Sequence, residues 1–189
     1  MKLVHLSIQS SNAAVMADPL SELRARGIET TAFCMIHDVA DNDILKFREL
    51  SRESADADMV FIRVMSDVHT FKMFDRYIAE IRGKVPYIFV NSGNVEVTLL
   101  YRDLFAGTDD DFRRLQEFAI YKGYENDIGI WYWLSDRLGL TSENRAPVKQ
   151  RTDGVYHPDF PRDVTIDDYG RNLDTSRPTI GIMFTSHAW

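Results

Sequence analysis

Four short runs of almost uninterrupted apolar residues recur along the first half of the chain. They are Leu3–Ile8, Thr31–Ile36, Met59–Met65 and Tyr87–Asn91. A run of this kind is typical of a strand covered on both faces, because a strand with one wet face would alternate apolar and polar residues. The pattern therefore predicts a parallel sheet with helices on both of its faces.

Amphipathic stretches separate these runs. Asp18 and Pro19 predict the cap and first residue of one helix, and Gly27 predicts its end. Apolar residues at helical spacing predict two further helices, one marked by Ile44, Phe47 and Leu50, the other by Phe71, Phe74, Ile78 and Ile81. The resulting order βαβαβαβ predicts a flavodoxin-like α/β domain for residues 1–94.

The pattern changes after Asn94, where three helical segments follow without a strand. They cover about Val95–Phe105, Asp109–Lys122 and Asp127–Leu138. We interpret residues 95–139 as a helical annex. Residues 140–176 are rich in Pro, Asp, Asn and Arg and lack periodicity, which predicts a linker of loop with a short helix near Ile166–Leu173.

A fifth apolar run, Thr179–Thr185, follows Arg177 and Pro178 near the end of the chain. It predicts a strand within residues 177–189, either an added strand of the sheet or the first strand of a further unit. The helix that would follow such a strand is missing. We therefore expect the chain to be a truncated piece of a longer polypeptide.

Charge and composition exclude several classes of protein. There are 22 basic and 29 acidic residues, giving a formal net charge of -7. Nucleic-acid backbones need clustered Lys and Arg, so nucleic acid is an unsuitable partner. No stretch is apolar enough to span a bilayer, and the first residues resemble a strand rather than a signal peptide. Cys34, the single cysteine, can form no intramolecular disulfide, which fits the cytoplasm.

Three segments of the second half carry a family resemblance. They are Asp153–Asp159, with the sequence DGVYHPD, Asp168–Tyr169, and Arg177–Phe184, with the sequence RPTIGIMF. In this order they resemble the amino-terminal region of CobN-type large subunits of ATP-dependent cobaltochelatase and magnesium chelatase. The chain departs from that pattern at Ser186–Trp189, where Ala188 separates His from Trp. The choice between cobalt and magnesium therefore stays open.

The resemblance implies a parent enzyme that inserts Co²⁺ or Mg²⁺ into a tetrapyrrole during cobalamin or chlorophyll-type biosynthesis. Such subunits bind the tetrapyrrole and act with AAA+ ATPase subunits that hydrolyse ATP. The family's catalytic residues lie beyond Trp189, so the fragment is expected to carry no catalytic residue, metal or bound cofactor. It would be inactive alone and help to enclose the substrate. The alternative is a stand-alone flavodoxin-like module that binds a small ligand or signals.

The carboxyl ends of parallel strands meet at one edge of a sheet, where ligands bind. In this chain those ends are followed by polar groups, at Ser10–Asn12, His37–Asp38, Ser66–Asp67, Asn91–Asn94 and Ser186–His187. We predict that Asn91, Asn94 and His187 lie together and bind a propionate or amide arm of a tetrapyrrole. The simpler interpretation is that these groups cap helices.

Other candidate sites have plainer explanations. Asp67 and His69 start like a cobalamin-binding loop, but Lys72 stands where that signature needs glycine, so Asp67 is interpreted as a helix cap. The three acids Asp109–Asp111 suit a helix start better than a magnesium site. Trp131 shares a helix face with Ile128 and Leu138, which predicts a core position. The sequence has no zinc spacing, nucleophile elbow or Walker loop.

Overall fold

A computed structural model describes residues 1–8, 12–34, 44–64, 67–68, 71–149, 164–174 and 176–177. Four strands form one parallel sheet: β1 (Lys2–Ser7), β2 (Glu29–Cys34), β3 (Met59–Val64) and β4 (Tyr87–Ser92). Their order, β2-β1-β3-β4, is the flavodoxin-like order. The predicted fold class and all four strands are confirmed, with β2 beginning two residues earlier than expected.

Helices connect and follow the strands. They are α1 (Asn12–Ala25), α2 (Ile44–Ser54), α3 (Phe74–Ile81), α4 (Val95–Leu100), α5 (Asp109–Tyr121), α6 (Tyr124–Arg137) and α7 (Ile166–Asn172), with a 3-10 turn at Arg102–Leu104. The three helical segments after Asn94 and the short helix near Ile166 are confirmed. The chain forms two compact units, Met1–Val148 and Lys149–Trp189. The finer division at residues 94, 139 and 176 stays a prediction.

The continuous apolar runs arise because both faces of the sheet are covered. One face packs against α2 and α3, through strand residues such as Val4, Leu6, Val60, Ile62 and Val90. The opposite face packs against α1, α5 and α6, through Leu3, Met59, Phe61 and Phe89. Successive residues of a strand point to opposite faces, so a strand in the middle of two layers has no face in contact with water.

Two local predictions, the start of the first helix and the start of the third, were wrong. Helix α1 begins at Asn12, so Asp18 and Pro19 lie inside it. Proline prefers a first turn because it lacks an N–H, yet the loss of one hydrogen bond is tolerable within a helix that packs well. Helix α3 begins at Phe74 with Met73 as its N-cap, so Phe71 lies before it, and capping of the turn at Val68 by Asp67 stays a prediction. Ile44 is 44% exposed and Leu138 is 38% exposed, because each lies at an end of its helix, beyond the packed turns.

Helix α6 is buried on all sides. Every residue from Asn126 to Ser135 is buried, including Trp131, Tyr132 and Trp133. Asp127 lies beside Arg63 at the carboxyl end of β3, whereas Trp133 lies beside Tyr87 at the amino end of β4. The helix therefore runs antiparallel to the strands, and its core role confirms the interpretation of Trp131.

The start of α5 explains its three acids. The Thr108 hydroxyl accepts a hydrogen bond from the Asp111 backbone N–H at 3.1 Å, and the Asp111 carboxylate accepts one from the Thr108 backbone N–H at 3.0 Å. This reciprocal capping box satisfies two amides that have no helical partner. The predicted capping role is confirmed, and the described residues contain no cluster of three groups that could bind a metal ion.

One buried side chain fixes the end of the first compact unit. Asn126, fully buried, donates to the Val148 carbonyl at 2.7 Å and accepts from the Val148 N–H at 2.8 Å. The amide group thus makes both of the hydrogen bonds that a neighbouring strand would make. Residues 141–149 have no regular structure and are held against α6 by this pair.

In the part of the chain that the structure describes, no helix has the length and apolar character needed to cross a membrane. The Gly154–Pro158 motif and the predicted strand Thr179–Thr185 lie outside the described residues.

Candidate functional site at the carboxyl edge of the sheet

Three neighbouring strands each place a polar residue in one row at the carboxyl end of the sheet. Ser7 of β1 pairs in register with Arg63 of β3, which pairs with Asn91 of β4. Alternation along the strands puts all three on the face that packs against α1, α5 and α6. They are 2%, 9% and 8% exposed, respectively. Buried polar residues need hydrogen-bond or charge partners, so this row marks a position to search for a site.

Arg63 is held by a buried ion pair. Its Nη2 atom lies 2.9 Å from Oδ1 of Asp127, and the side chains are 11% and 1% exposed. The guanidinium also lies 5.4 Å from the centre of the Phe61 ring. A buried arginine needs a carboxylate partner, because an unpaired buried charge costs several kcal/mol (roughly 3 to 5). Asp127 therefore fixes both the charge and the orientation of Arg63.

His5 lies one row deeper in the sheet. Its ring centre is 5.1 Å from that of Phe61 and 6.4 Å from that of Trp131. Burial, together with the positive charge of Arg63, lowers the pKa of His5 to about 3. The imidazole is therefore neutral near pH 7 and is unsuited to moving protons there.

Three buried polar atoms at this end of the molecule have no hydrogen-bond partner among the described residues. They are Nε2 of His5, Oδ2 of Asp127 and Nε1 of Trp131. Asp127 and Trp131 are one turn apart on α6, so their side chains lie on the same side of the helix. Buried polar atoms usually have partners, and such exceptions concentrate at functional positions. The cluster of His5, Arg63, Asn91, Asp127 and Trp131 is hence our candidate site.

The low pKa of His5 predicts a loss of stability in acid. Between the unfolded pKa of about 6.5 and the folded pKa of about 3, only the unfolded chain takes up this proton. The free energy of unfolding is therefore at its full value above about pH 6.5 and falls toward pH 3. At pH 5 the loss due to His5 should be about 2 kcal/mol relative to pH 7. His5→Phe should remove this part of the pH dependence in urea unfolding. If the free energy of unfolding falls equally between pH 7 and pH 5 in the wild type and in His5→Phe, His5 is not the cause.

The residues predicted for this edge have separate roles. Asn91 lies in the polar row. Asn94 is the N-cap of α4, and its Oδ1 accepts from the Glu96 N–H at 3.0 Å. Ser92 Oγ accepts from the Asn94 N–H at 3.1 Å, and Thr98 Oγ1 accepts from the Ser92 N–H at 2.9 Å. The amides of this turn are therefore used within the protein, as the capping interpretation expects.

His187 lies outside the described residues, and so do Ser10, Ser11, His37, Asp38 and Ser66. That His187 lies near Asn91 and Asn94, and that these three residues bind substrate, stay predictions. Sequence reasoning missed His5, Arg63 and Asp127. A charged residue inside an apolar strand run is a signal that could have identified Arg63, because such a residue must find a partner.

Comparison with solved structures finds the same architecture in a much longer protein. The catalytic subunit of cobaltochelatase from Mycobacterium tuberculosis superposes on 83% of this chain with a TM-score of 0.53 and 20% sequence identity. The two chains share a fold. The match agrees with the resemblance noted in the sequence, and the chain spans 12% of the length of that subunit. No protein-family profile and no curated protein sequence matches the chain.

Proposed function

We propose that this chain is the amino-terminal part of the large subunit of an ATP-dependent chelatase that inserts cobalt, or magnesium, into a tetrapyrrole in cobalamin or chlorophyll-type biosynthesis. The observation that carries the proposal is the shared fold with the cobaltochelatase subunit, over 83% of this chain. The motifs Asp153–Asp159 and Arg177–Phe184 support it independently, because they rest on sequence and not on the sheet.

Within such a subunit, the chain would help to enclose the substrate and leave metal insertion to later residues. Arg63 and Asn91 offer N–H donors at the edge where parallel sheets bind ligands, and such donors suit the carboxylate or amide arms of a tetrapyrrole. Asn94 and His187 remain proposed contacts at the same edge. The parent would work in the cytoplasm with AAA+ ATPase subunits.

A surface of helix α4 supports a role in a larger assembly. Val95, Leu99 and Leu100 are 46%, 52% and 76% exposed. Apolar side chains grouped on one short helix are typical of a surface that another protein segment covers. In the proposed parent, the remaining domains of the large subunit would provide that segment.

Tetrapyrrole binding by the intact large subunit tests the proposal. Asn91→Ala and His187→Ala should each weaken binding about tenfold, since one hydrogen bond to a charged group contributes about 1.5 kcal/mol. Glu49→Ala, which changes an exposed residue of α2, on the opposite face of the sheet from Asn91, is the control and should bind normally. Absorbance of the macrocycle measures binding. Unchanged affinity in both edge variants would remove Asn91 and His187 from the substrate site.

The 189-residue chain alone should neither hydrolyse ATP nor insert cobalt or magnesium, since it lacks a Walker loop. Metal insertion by this piece would contradict its enclosing role. The second candidate is a stand-alone flavodoxin-like binding module, which the polar row at the carboxyl edge favours. A gene that stops directly after Trp189 would support the module and overturn the chelatase proposal.

A further inference from the structure

A small pocket lies at the other end of α6, near the amino ends of the strands. Its volume is about 180 Å³, and the arginines Arg114, Arg137 and Arg145 line it together with Asn144 and Trp133. Three arginines around one pocket contrast with the formal net charge of -7 for the whole chain. Arginines are therefore grouped at this pocket although the chain as a whole is acidic.

Each guanidinium is held in place by a neighbour. Arg114 donates to the amide oxygen of Asn144 at 2.8 Å, and Arg137 pairs with Asp111 at 2.7 Å. Arg145 pairs with Glu143 at 2.9 Å and lies 3.9 Å from the centre of the Tyr132 ring. Fixed arginines lose little conformational freedom when they bind a ligand, which favours binding.

The arginines of the pocket keep unused donors. A guanidinium has five N–H groups. Among the described residues, the hydrogen bonds of Arg114 use Nη1 alone and those of Arg137 use Nη2 alone. The partner of Arg114 is a neutral amide, so this contact does not neutralise the charge of the Arg114 guanidinium. The remaining N–H groups match the planar, paired oxygens of a carboxylate or phosphate.

Two carboxylates also border the pocket, but their oxygens already accept hydrogen bonds. Asp136 accepts from the Thr141 hydroxyl and from the backbone N–H groups of Glu143 and Asn144. Asp111 accepts from Thr108, Trp133 and Arg137. These donors hold the pKa of Asp136 and of Asp111 below the usual range, against the effect of burial. Glu143 and Glu125 also pair with Arg145, at 2.9 and 3.5 Å, so an anion would bind through the unused N–H groups of Arg114 and Arg137 and not through a net positive charge.

We propose that this pocket binds a small oxyanion, a carboxylate or a phosphate group, through Arg114 and Arg137. The site is separate from the carboxyl edge of the sheet and does not depend on the proposed chelatase function. Arg145 borders the pocket, and Asn144 holds Arg114 in position.

Calorimetric titration of the full 189-residue chain tests the proposal. Sodium phosphate and sodium succinate are titrated separately at constant ionic strength, so that general screening is the same in both arms. We expect saturable binding of one anion per chain. Tighter binding of phosphate would assign the pocket to phosphate groups, and tighter binding of succinate would assign it to carboxylates.

Neighbouring arginines provide a matched pair of variants. Arg114→Gln should weaken binding at least tenfold, whereas Arg113→Gln removes an exposed arginine that pairs with Asp110 and should leave binding unchanged. Asn144→Asp is a second test at an exposed position and should also weaken binding at least tenfold, since it adds a negative charge. Absence of saturable binding with both anions, or equal weakening in the Arg113 and Arg114 variants, would overturn the proposal.

Discussion

Asp127→Ala should lower the free energy of unfolding by about 3 to 5 kcal/mol. The change leaves Arg63 charged in a place where its side chain is 11% exposed and its partner was 1% exposed. Among the described residues, Asp127 is the carboxylate that pairs with Arg63, whose register neighbours Ser7 and Asn91 are neutral. Urea unfolding followed by circular dichroism measures the effect.

A double variant separates the loss of a partner from the loss of packing. Arg63→Met combined with Asp127→Leu removes both charges and keeps most of the volume, so it should recover most of the stability lost in Asp127→Ala. Buried pairs replaced by apolar residues are often neutral for stability. If the double variant is as unstable as Asp127→Ala, packing around residue 127 and not the unpaired charge of Arg63 sets the cost.

Gly129→Ala should destabilise the protein by up to about 3 kcal/mol, although alanine is the better helix former. The added Cβ would overlap the Phe118 ring, and three ring atoms lie closer than a methyl group allows. Phe118 is 1% exposed and packs within the core, so the ring has no free space to enter. The clash outweighs the roughly 1 kcal/mol that alanine would otherwise contribute. Thermal or urea unfolding measures the loss.

Gly170→Ala is the matched control, because a Cβ there meets nothing within 4 Å. It lies in helix α7 and should be neutral or slightly stabilising by up to about 1 kcal/mol. Phe118→Leu should recover part of the stability of Gly129→Ala, since it shortens the opposing side chain. A stable Gly129→Ala protein would mean that α5 and α6 separate easily.

The sheet was predictable because its signal is local. Strands such as Met59–Val64 are buried at every position and apolar at all but Arg63, and that pattern depends on burial on both faces and not on any distant partner. The capping role of Asp109–Asp111 was predictable for the same reason, as the contacts span three residues. The position of Pro19 inside α1 was not predictable, because the start of α1 depends on the residues from Asn12 and not on the proline itself.

The candidate site was only partly predictable. Asn91 could be placed at the carboxyl edge, since it ends an apolar run. The pairing of Arg63 with Asp127 joins residues 64 positions apart, and no local pattern specifies it. The pKa of His5 depends on rings from β3 and α6, which meet only in the folded protein.

The amide of Asn126 has a mechanical consequence. Its two hydrogen bonds engage the N–H and the carbonyl of one residue, Val148, at the point where the first compact unit ends. Tension applied to the chain beyond residue 148 therefore loads α6 through this side chain before it reaches the strands. Because α6 is buried on every side, the load would be spread over the whole aromatic core. Asn126 also directly precedes Asp127, the partner of Arg63, so this amide links a pull on Val148 to the carboxyl edge of the sheet.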